Sequence, residues 1–370
     1  MNVLIAGQPV HHRTVTFDAG RNAVQLIEQR RLPHQFQVVA TPDYRATALA
    51  IGEMIVRGAG AIGATAAYGL AQGARAFRGR DRERFRKAVN RTFQAIHAAR
   101  PTAVDPLNAM TEVLAAMRPG ETVEEQQALA LAAAEEFAHR SVLECQAIGR
   151  HGARLIKPGM RILTHCNAGW LAFVDYGSAT APLYAAHARG RRFHVYCDET
   201  RPRSQGATLT AWELAQEGIS HEIIVDSASG HLMQRGEIDL VIVGSDRILG
   251  RTGEIANKIG TYTQAVLAAR HGIPFYVAAP FSTLDWNLKS GRHIPIEERA
   301  PDEVLGAWGV PATPGRRPSR PRRSSPAIYV RVANPTSTAR NPGFDVTPPE
   351  LITGIITPAG IFRPGELPKR

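Results

Sequence analysis

Polar residues of this chain gather where apolar runs stop. Leu240-Val241-Ile242-Val243 is a continuous, mainly β-branched run of the kind a strand buried on both faces needs, and the carboxylate of Asp246 follows just past its end. In an open α/β sheet, ligands bind in the crevice outside the carboxyl ends of the strands. A polar, Gly-containing loop comes next, and Asn257-Lys258 lead into a helical pattern through Ala265-Val266-Leu267-Ala268-Ala269. An amide and an ammonium near a helix start suit an anionic group. The same placement recurs upstream. Arg161-Ile162-Leu163-Thr164 reads as a short strand ending at His165-Cys166-Asn167, and Phe193 to Cys197 as a strand ending at Asp198-Glu199-Thr200-Arg201-Pro202. Strand exits of this kind put Cys166, the segment from Glu199 to Gln205, and Asp246 on one rim. The expectation is an enzyme site for a small phosphorylated molecule.

Each candidate has a plainer alternative. Cys166 is either a buried small hydrophobe or a reactive thiol; Cys197 points into the sheet, and Cys145 packs on a helix. Asp246 is a catalytic carboxylate, a helix cap or a partner of Arg247. Asp198 and Glu199 are acid/base groups or ion-pair partners of Arg201 and Arg203. Gln205 hydrogen-bonds a sugar hydroxyl or caps the helix that follows. His165 reads as a ligand, a base or a satisfied half-buried histidine. Arg57-Gly58-Ala59 lies between two helical stretches, where glycine lets the backbone approach a ligand and the second helix start offers free N–H groups. Arg57 adds a bidentate phosphate contact. Arg100, at the Pro101 break, is a helix-end cation or a second anion ligand.

The elements that must position these groups fall into two parts. The first is small and α+β: strands at Thr14-Val15-Thr16-Phe17 and at Phe36 to Ala40, a helix over Tyr44 to Val56, a small-residue helix after Gly63, an amphipathic stretch from Asp81 to Ala99, and a long helix from Val123 to Ile148. The second alternates strand and helix, as a parallel sheet with covering helices does. The expected units are residues 1–148 and 149–370. At 370 residues about two domains are expected. No apolar run is long enough to span a bilayer and no secretory leader is visible at the start, so a cytoplasmic protein without a membrane partner is expected. The three cysteines show no CxxC spacing, which speaks against zinc. The formal charge of +11 is inflated by five arginines in the Pro/Ser-rich run from Pro311 to Pro326, read as a disordered surface insertion; nucleic acid is not the expected partner.

The stretches RGAGAIGATAAYG, RPTAV, THCNAGWLA, DETRPRSQGATLTAWEL, GSDRILGRTGEIANKIGTY, IPFYVAAPFSTLD and NPGFDVTPPELITGIITPAGI, in this order, closely resemble the methylthioribose-1-phosphate isomerases of methionine salvage. The resemblance runs from about Gln25 to Arg363 and leaves out the Arg-rich run. It implies a small N-terminal domain followed by a Rossmann-like domain with a mainly parallel sheet, assembled as a homodimer. It implies Cys166 and Asp246 as the catalytic pair, and Arg57, Gly58, Ala59, Arg100, Gln205, Asn257 and Lys258 as ligands of a phosphorylated pentose. Neither a metal nor an organic cofactor is implied. The chain departs from the usual pattern at Gly60, where proline is common, at Ser245 for alanine, and at Asp105 for asparagine. Trp170, Asp175-Tyr176-Gly177 and Asp285-Trp286 are bulkier or more polar than typical, which bears on the 5-substituent; Trp170 and Phe173 favour an apolar group there over a second phosphate. The alternatives are an isomerase of 5-deoxyribose 1-phosphate or ribose 1,5-bisphosphate and, from another class, a non-catalytic regulatory subunit of a translation-initiation exchange factor.

Overall fold

The computed structural model describes residues 1–100, 104–312 and 327–369. The N-terminal part carries strands β1 (Asn2–Ile5), β2 (Gln8–His11), β3 (Val15–Asp18), β4 (Ala23–Ile27) and β5 (Val38–Thr41), then helices α1 (Tyr44–Gly52), α2 (Ala59–Ala76), α3 (Arg82–Ala99), α4 (Val104–Met117) and α5 (Val123–Gly152). Local chemistry sets the helix starts. Asp43 and Asp81 accept N–H bonds in the first turns of α1 and α3, and Thr122 with Glu125 forms a capping box on the 30-residue α5. The helix predicted to Val56 stops at Gly52, and three strands, β1, β2 and β4, lie where none was predicted. Helix α2 is buried on nearly all sides, and its alanines and glycines let α1, α3, α4 and α5 close around it.

The rest follows the predicted alternation: β6 (Arg161–Thr164), α6 (Ala181–His187), β7 (His194–Asp198), α7 (Ala211–Gln216), β8 (His221–Ile224), α8 (Ala228–Gln234), β9 (Leu240–Val243), β10 (Arg247–Leu249), β11 (Ile255–Lys258), α9 (Thr261–Arg270), β12 (Phe275–Ala278) and β13 (Leu284–Asp285). After α10 (Asp302–Leu305) come β14 (Gly306–Gly309), β15 (Ile328–Arg331), β16 (Phe344–Thr347), β17 (Gly354–Thr357) and β18 (Gly360–Phe362). Seven strands form the main sheet in the order β18-β17-β12-β9-β6-β7-β8, every neighbouring pair parallel except β17-β18. This is the expected α/β architecture, a small N-terminal sheet-and-helix part followed by a large, mainly parallel sheet. All four residues of β9 are buried, as their β-branched run demands.

The order of the strands is the feature that makes a site. From β6 the chain adds β7 and β8 on one side, then returns to place β9 on the other. Between β6 and β9 the connections therefore diverge, leaving a crevice at their carboxyl ends. A second sheet, β13-β10-β11-β16, supplies Arg247, Ala256, Lys258 and Phe344 to the lining of the cavity there. It corrects one expectation: the stretch after Asp246 is not a simple polar loop but the β10-β11 hairpin, with Arg247 opposite Ala256. Of the Arg-rich run, all but Pro311 and Ala312 lies outside the described residues.

Candidate active site

Cys166 and Asp246 follow β6 and β9, the two strands that flank the crevice. With Arg57, Gly58, Ala59, Arg100, Gln205 and Lys258 they line one solvent-open cavity. Eight of the nine sequence-predicted site residues thus meet in one place. Asn257 is not in this lining. Side chains alternate along β11, so Ala256 and Lys258 face the cavity while the Asn257 amide turns away and donates to Thr261 Oγ1 at 3.0 Å. The pair therefore ends a strand instead of opening a helix; α9 begins at Thr261.

Cys166 sits in the left-handed region, φ +68°, which an L side chain rarely adopts. Two threonines hold it there: its N–H donates to Thr200 Oγ1 at 2.8 Å, and Thr210 Oγ1 donates to its carbonyl at 2.7 Å. Strain over-determined by neighbouring bonds is what keeps a reactive side chain aimed. Burial pushes the Cys166 thiol above its ordinary pKa; Arg57 and Lys258 oppose that shift and Asp246 adds to it. Burial likewise raises the Asp246 carboxyl against the pull of Lys258, Arg57 and Arg100. Both groups are thus biased toward their protonated forms. Arg247 Nη1 lies 3.3 Å from Asp285 Oδ2.

The cations divide by how they are held. Arg57 donates to the Asn167 carbonyl at 3.1 Å and to its amide oxygen at 2.6 Å, and Lys258 donates to the Gly343 carbonyl at 2.7 Å above the Phe344 ring. Both are anchored by neutral acceptors and keep their charge for a ligand. Burial lowers the Lys258 pKa, and Cys166 and Asp246 counter this. Arg100, Arg203 and Arg299 also face the cavity but are paired with Glu297 or Glu303. Gly58 has φ +92°, and a Cβ there would lie 2.4 Å from Ala172 Cα, so only glycine brings the start of α2 this close to the cysteine loop. The free N–H groups of the first turn of α2 begin there, beside Arg57.

Behind the site, His165 is fully buried, not half-buried, and Asp198 is its partner instead of an arginine's. His165 Nδ1 lies 2.8 Å from Asp198 Oδ2 and its Nε2 lies 2.9 Å from the Ile259 carbonyl. Arg201 donates instead to backbone carbonyls near Glu303, and Arg203 pairs with Glu303. Asp226 completes a cluster whose ligand atoms lie within 4.8 Å of one another. Its carboxylate already accepts the Thr200 and Arg201 N–H groups, and both His165 nitrogens are engaged, so this set does not fit a metal ion.

Trp170, Phe173, Asp175 and Trp286, expected to bear on the 5-substituent, are outside the cavity lining. Trp170 is in the core near Trp212, Phe173 packs on Gly60, Asp175 pairs with the Met1 ammonium, and Trp286 packs on Gly250. The apolar lining comes from Met54, Ile62, Val104, Ile294, Pro295 and Phe344. Sequence reading missed these because they lie on separate elements with no shared motif. Gln205, a residue of the cavity lining, caps no helix through its side chain, and its Oε1 is buried without a hydrogen-bond partner among the described residues.

Residues 55–364 match the initiation factor 2 subunit family. The chain is 45% identical to the methylthioribose-1-phosphate isomerase of Methylorubrum populi, over 96% of this chain and 94% of that one. It is 46% identical to the protein of the same name from Sinorhizobium medicae, over 95% and 94%. Among solved structures it superposes on 5-methylthioribose 1-phosphate isomerase from Pyrococcus horikoshii with a TM-score of 0.82 at 39% identity, covering 96% of this chain and 93% of that one. The translation initiation factor eIF-2B subunit delta from A. fulgidus superposes with a TM-score of 0.79 at 38% identity, covering 96% of each.

Proposed function

The chain belongs to the initiation factor 2 subunit family and, within it, to the methylthioribose-1-phosphate isomerases, and from that membership we propose how its own residues convert 5-methylthioribose 1-phosphate, an aldose, to 5-methylthioribulose 1-phosphate, a ketose. The observation that carries the reading is the meeting of Cys166 and Asp246 from adjacent strands in a cavity that also holds Arg57, Gly58 and Lys258. Arg57, Lys258 and the N–H groups at the start of α2 hold the phosphate and so fix C1 and C2. The apolar lining takes the 5-methylthio group.

The anomeric oxygen is phosphorylated, so the ring cannot open as a free sugar does. Asp246, whose carboxyl burial biases toward its acid form, gives its proton to the ring oxygen as the bond from C1 to that oxygen breaks. Hydride then passes from C2 to the electron-poor C1, the C2 hydroxyl becomes the carbonyl, and its proton returns to Asp246. Cys166, held as a thiol, keeps its proton and donates a hydrogen bond to the ring oxygen as it departs. A proton route through an enediol would need a Cys166 thiolate, which burial disfavours. The protein acts in methionine salvage as a cytoplasmic homodimer, a proposal that rests on the family resemblance.

Proton NMR of the purified protein with 5-methylthioribose 1-phosphate in deuterated water tests the reading. Ketose 1-phosphate should form without deuterium at C1, and Cys166→Ala or Asp246→Asn should each lower kcat at least about 10²-fold. Deuterium at C1 would replace hydride transfer by the enediol route. A folded wild-type protein that turns over no pentose 1-phosphate would overturn the enzymatic assignment.

A further inference from the structure

Helix α4 opens with a carboxylate that has no apparent role in the fold. Asp105 lies in its first turn, 1% exposed, and neither carboxylate oxygen has a hydrogen-bond partner among the described residues. The Ser282 hydroxyl and the backbone N–H of Asp105 itself lie near enough to favour its ionised form, but neither reaches hydrogen-bond geometry. Leaving a buried carboxyl unpaired is costly, and a residue that served only the fold would be bonded. The side chain lines the same cavity as Cys166 and Asp246, while its Cβ backs onto α2, 3.3 Å from where a Cβ on Gly63 would stand.

Gln205 Oε1 makes the pattern sharper. It too is a buried acceptor without a partner, on the same cavity. The cavity therefore offers two kinds of group: cations and helix N–H donors for an anion, and orphaned acceptors that need hydroxyl hydrogens. A pentose 1-phosphate carries both complements, with ring hydroxyls at C2 and C3. The C2 oxygen becomes the carbonyl and must be left to the reacting pair.

We propose that Asp105 is a substrate-contacting residue that accepts the C3 hydroxyl of the sugar, with Gln205 Oε1 as a companion acceptor on the ring. Asp105 acts as a carboxylate at neutral pH, since burial raises its pKa only to about 6. The inference rests on the isomerase reading and adds the group that recognises the sugar ring.

The test is steady-state kinetics of wild type, Asp105→Ala and Asp105→Asn on 5-methylthioribose 1-phosphate and on its 3-deoxy analogue. Removing the 3-hydroxyl should cost wild type roughly 10- to 100-fold in kcat/KM, the scale of a hydrogen bond to a charged group. Asp105→Ala should lose as much on the full substrate and nothing further on the analogue. Asp105→Asn, which keeps one acceptor, should recover part of the loss. Because the charge is unpaired in the free protein, the isosteric Asn variant should melt no lower than wild type. Equal losses on both substrates, no loss on either, or a lowered melting temperature would overturn the inference. Wild type active on the full substrate leaves the isomerase reading standing in each case; wild type inactive on it would remove that reading itself.

Discussion

Replacing His165 by glutamine tests whether a buried pair behind the site holds a proton that stabilises the fold. Both ring nitrogens face acceptors: Asp198 Oδ2 at 2.8 Å and the Ile259 carbonyl at 2.9 Å. One proton must sit on Nε2 and a second between Nδ1 and Oδ2, whichever atom carries it. Asp198 Oδ2 also accepts Gln264 Nε2 at 2.7 Å, while Oδ1 has no partner among the described residues. Burial acts against the charge on His165, but Asp198 and the Ile259 carbonyl win and raise its pKa; burial raises Asp198 to about 6. Both folded values exceed the unfolded ones, so the folded protein holds the shared proton more tightly, and the sign is the same for either assignment. The contribution of His165 is complete below its unfolded pKa of about 6.5 and is lost as pH rises through its folded value. Removing one partner of a buried pair costs about 3–5 kcal/mol. At the alkaline end the neutral ring still donates to the Asp198 carboxylate, and a bond of about 1.5–3 kcal/mol remains to be lost. Urea unfolding followed by far-UV circular dichroism, at pH 6 and pH 8.5, measures the gap between wild type and His165→Gln. The gap should be large at pH 6 and shrink toward pH 8.5. A gap that is the same at both pH values, or below about 1 kcal/mol at pH 6, refutes the proton accounting.

Two further outcomes follow from the site's geometry. A Cβ on Gly60 would fall 2.3 Å from Phe173 Cδ1. Gly60→Ala should therefore cost about 1–3 kcal/mol and raise KM more than it lowers kcat, by shifting the first turn of α2; thermal melting and kinetics read both, and adding Phe173→Leu should restore them. The acid form of Asp246 is the one that reacts, and its pKa is raised by burial, so kcat should fall as pH rises through that value. The residual rate of Asp246→Asn should lack this decline; the same decline in the variant would assign it to another group.

Much of the site was legible because strand exits announce themselves. The β-branched runs at Ile162 and Val241 stop abruptly, and Cys166 and Asp246 stand just beyond them. The glycine segment at Arg57 was equally visible, since Gly58 is the one residue type that tolerates both its φ and its approach to Ala172. The β10-β11 hairpin was not legible. Its strands are three and four residues long, too short for a period to show, and the polar residues around Gly250 and Gly253 resemble a loop. Bulky residues near Cys166 misled the reading of the 5-substituent: Trp170 follows the cysteine closely in sequence yet turns into the core.

By itself, then, the sequence determined the element types, the polar strand exits and the residues that bear chemistry, because hydrophobic period, capping and glycine's backbone freedom act within a few residues. Only the tertiary structure decided that β9 lies beside β6, that Lys258 faces the cavity while Asn257 turns away, and that His165 meets Asp198. Strand order, facing and buried pairing come from hydrogen bonds and packing between segments far apart in the chain, which no local pattern encodes. The orphaned oxygens of Asp105 belong to that second kind: a missing partner becomes visible only when every neighbour is in place.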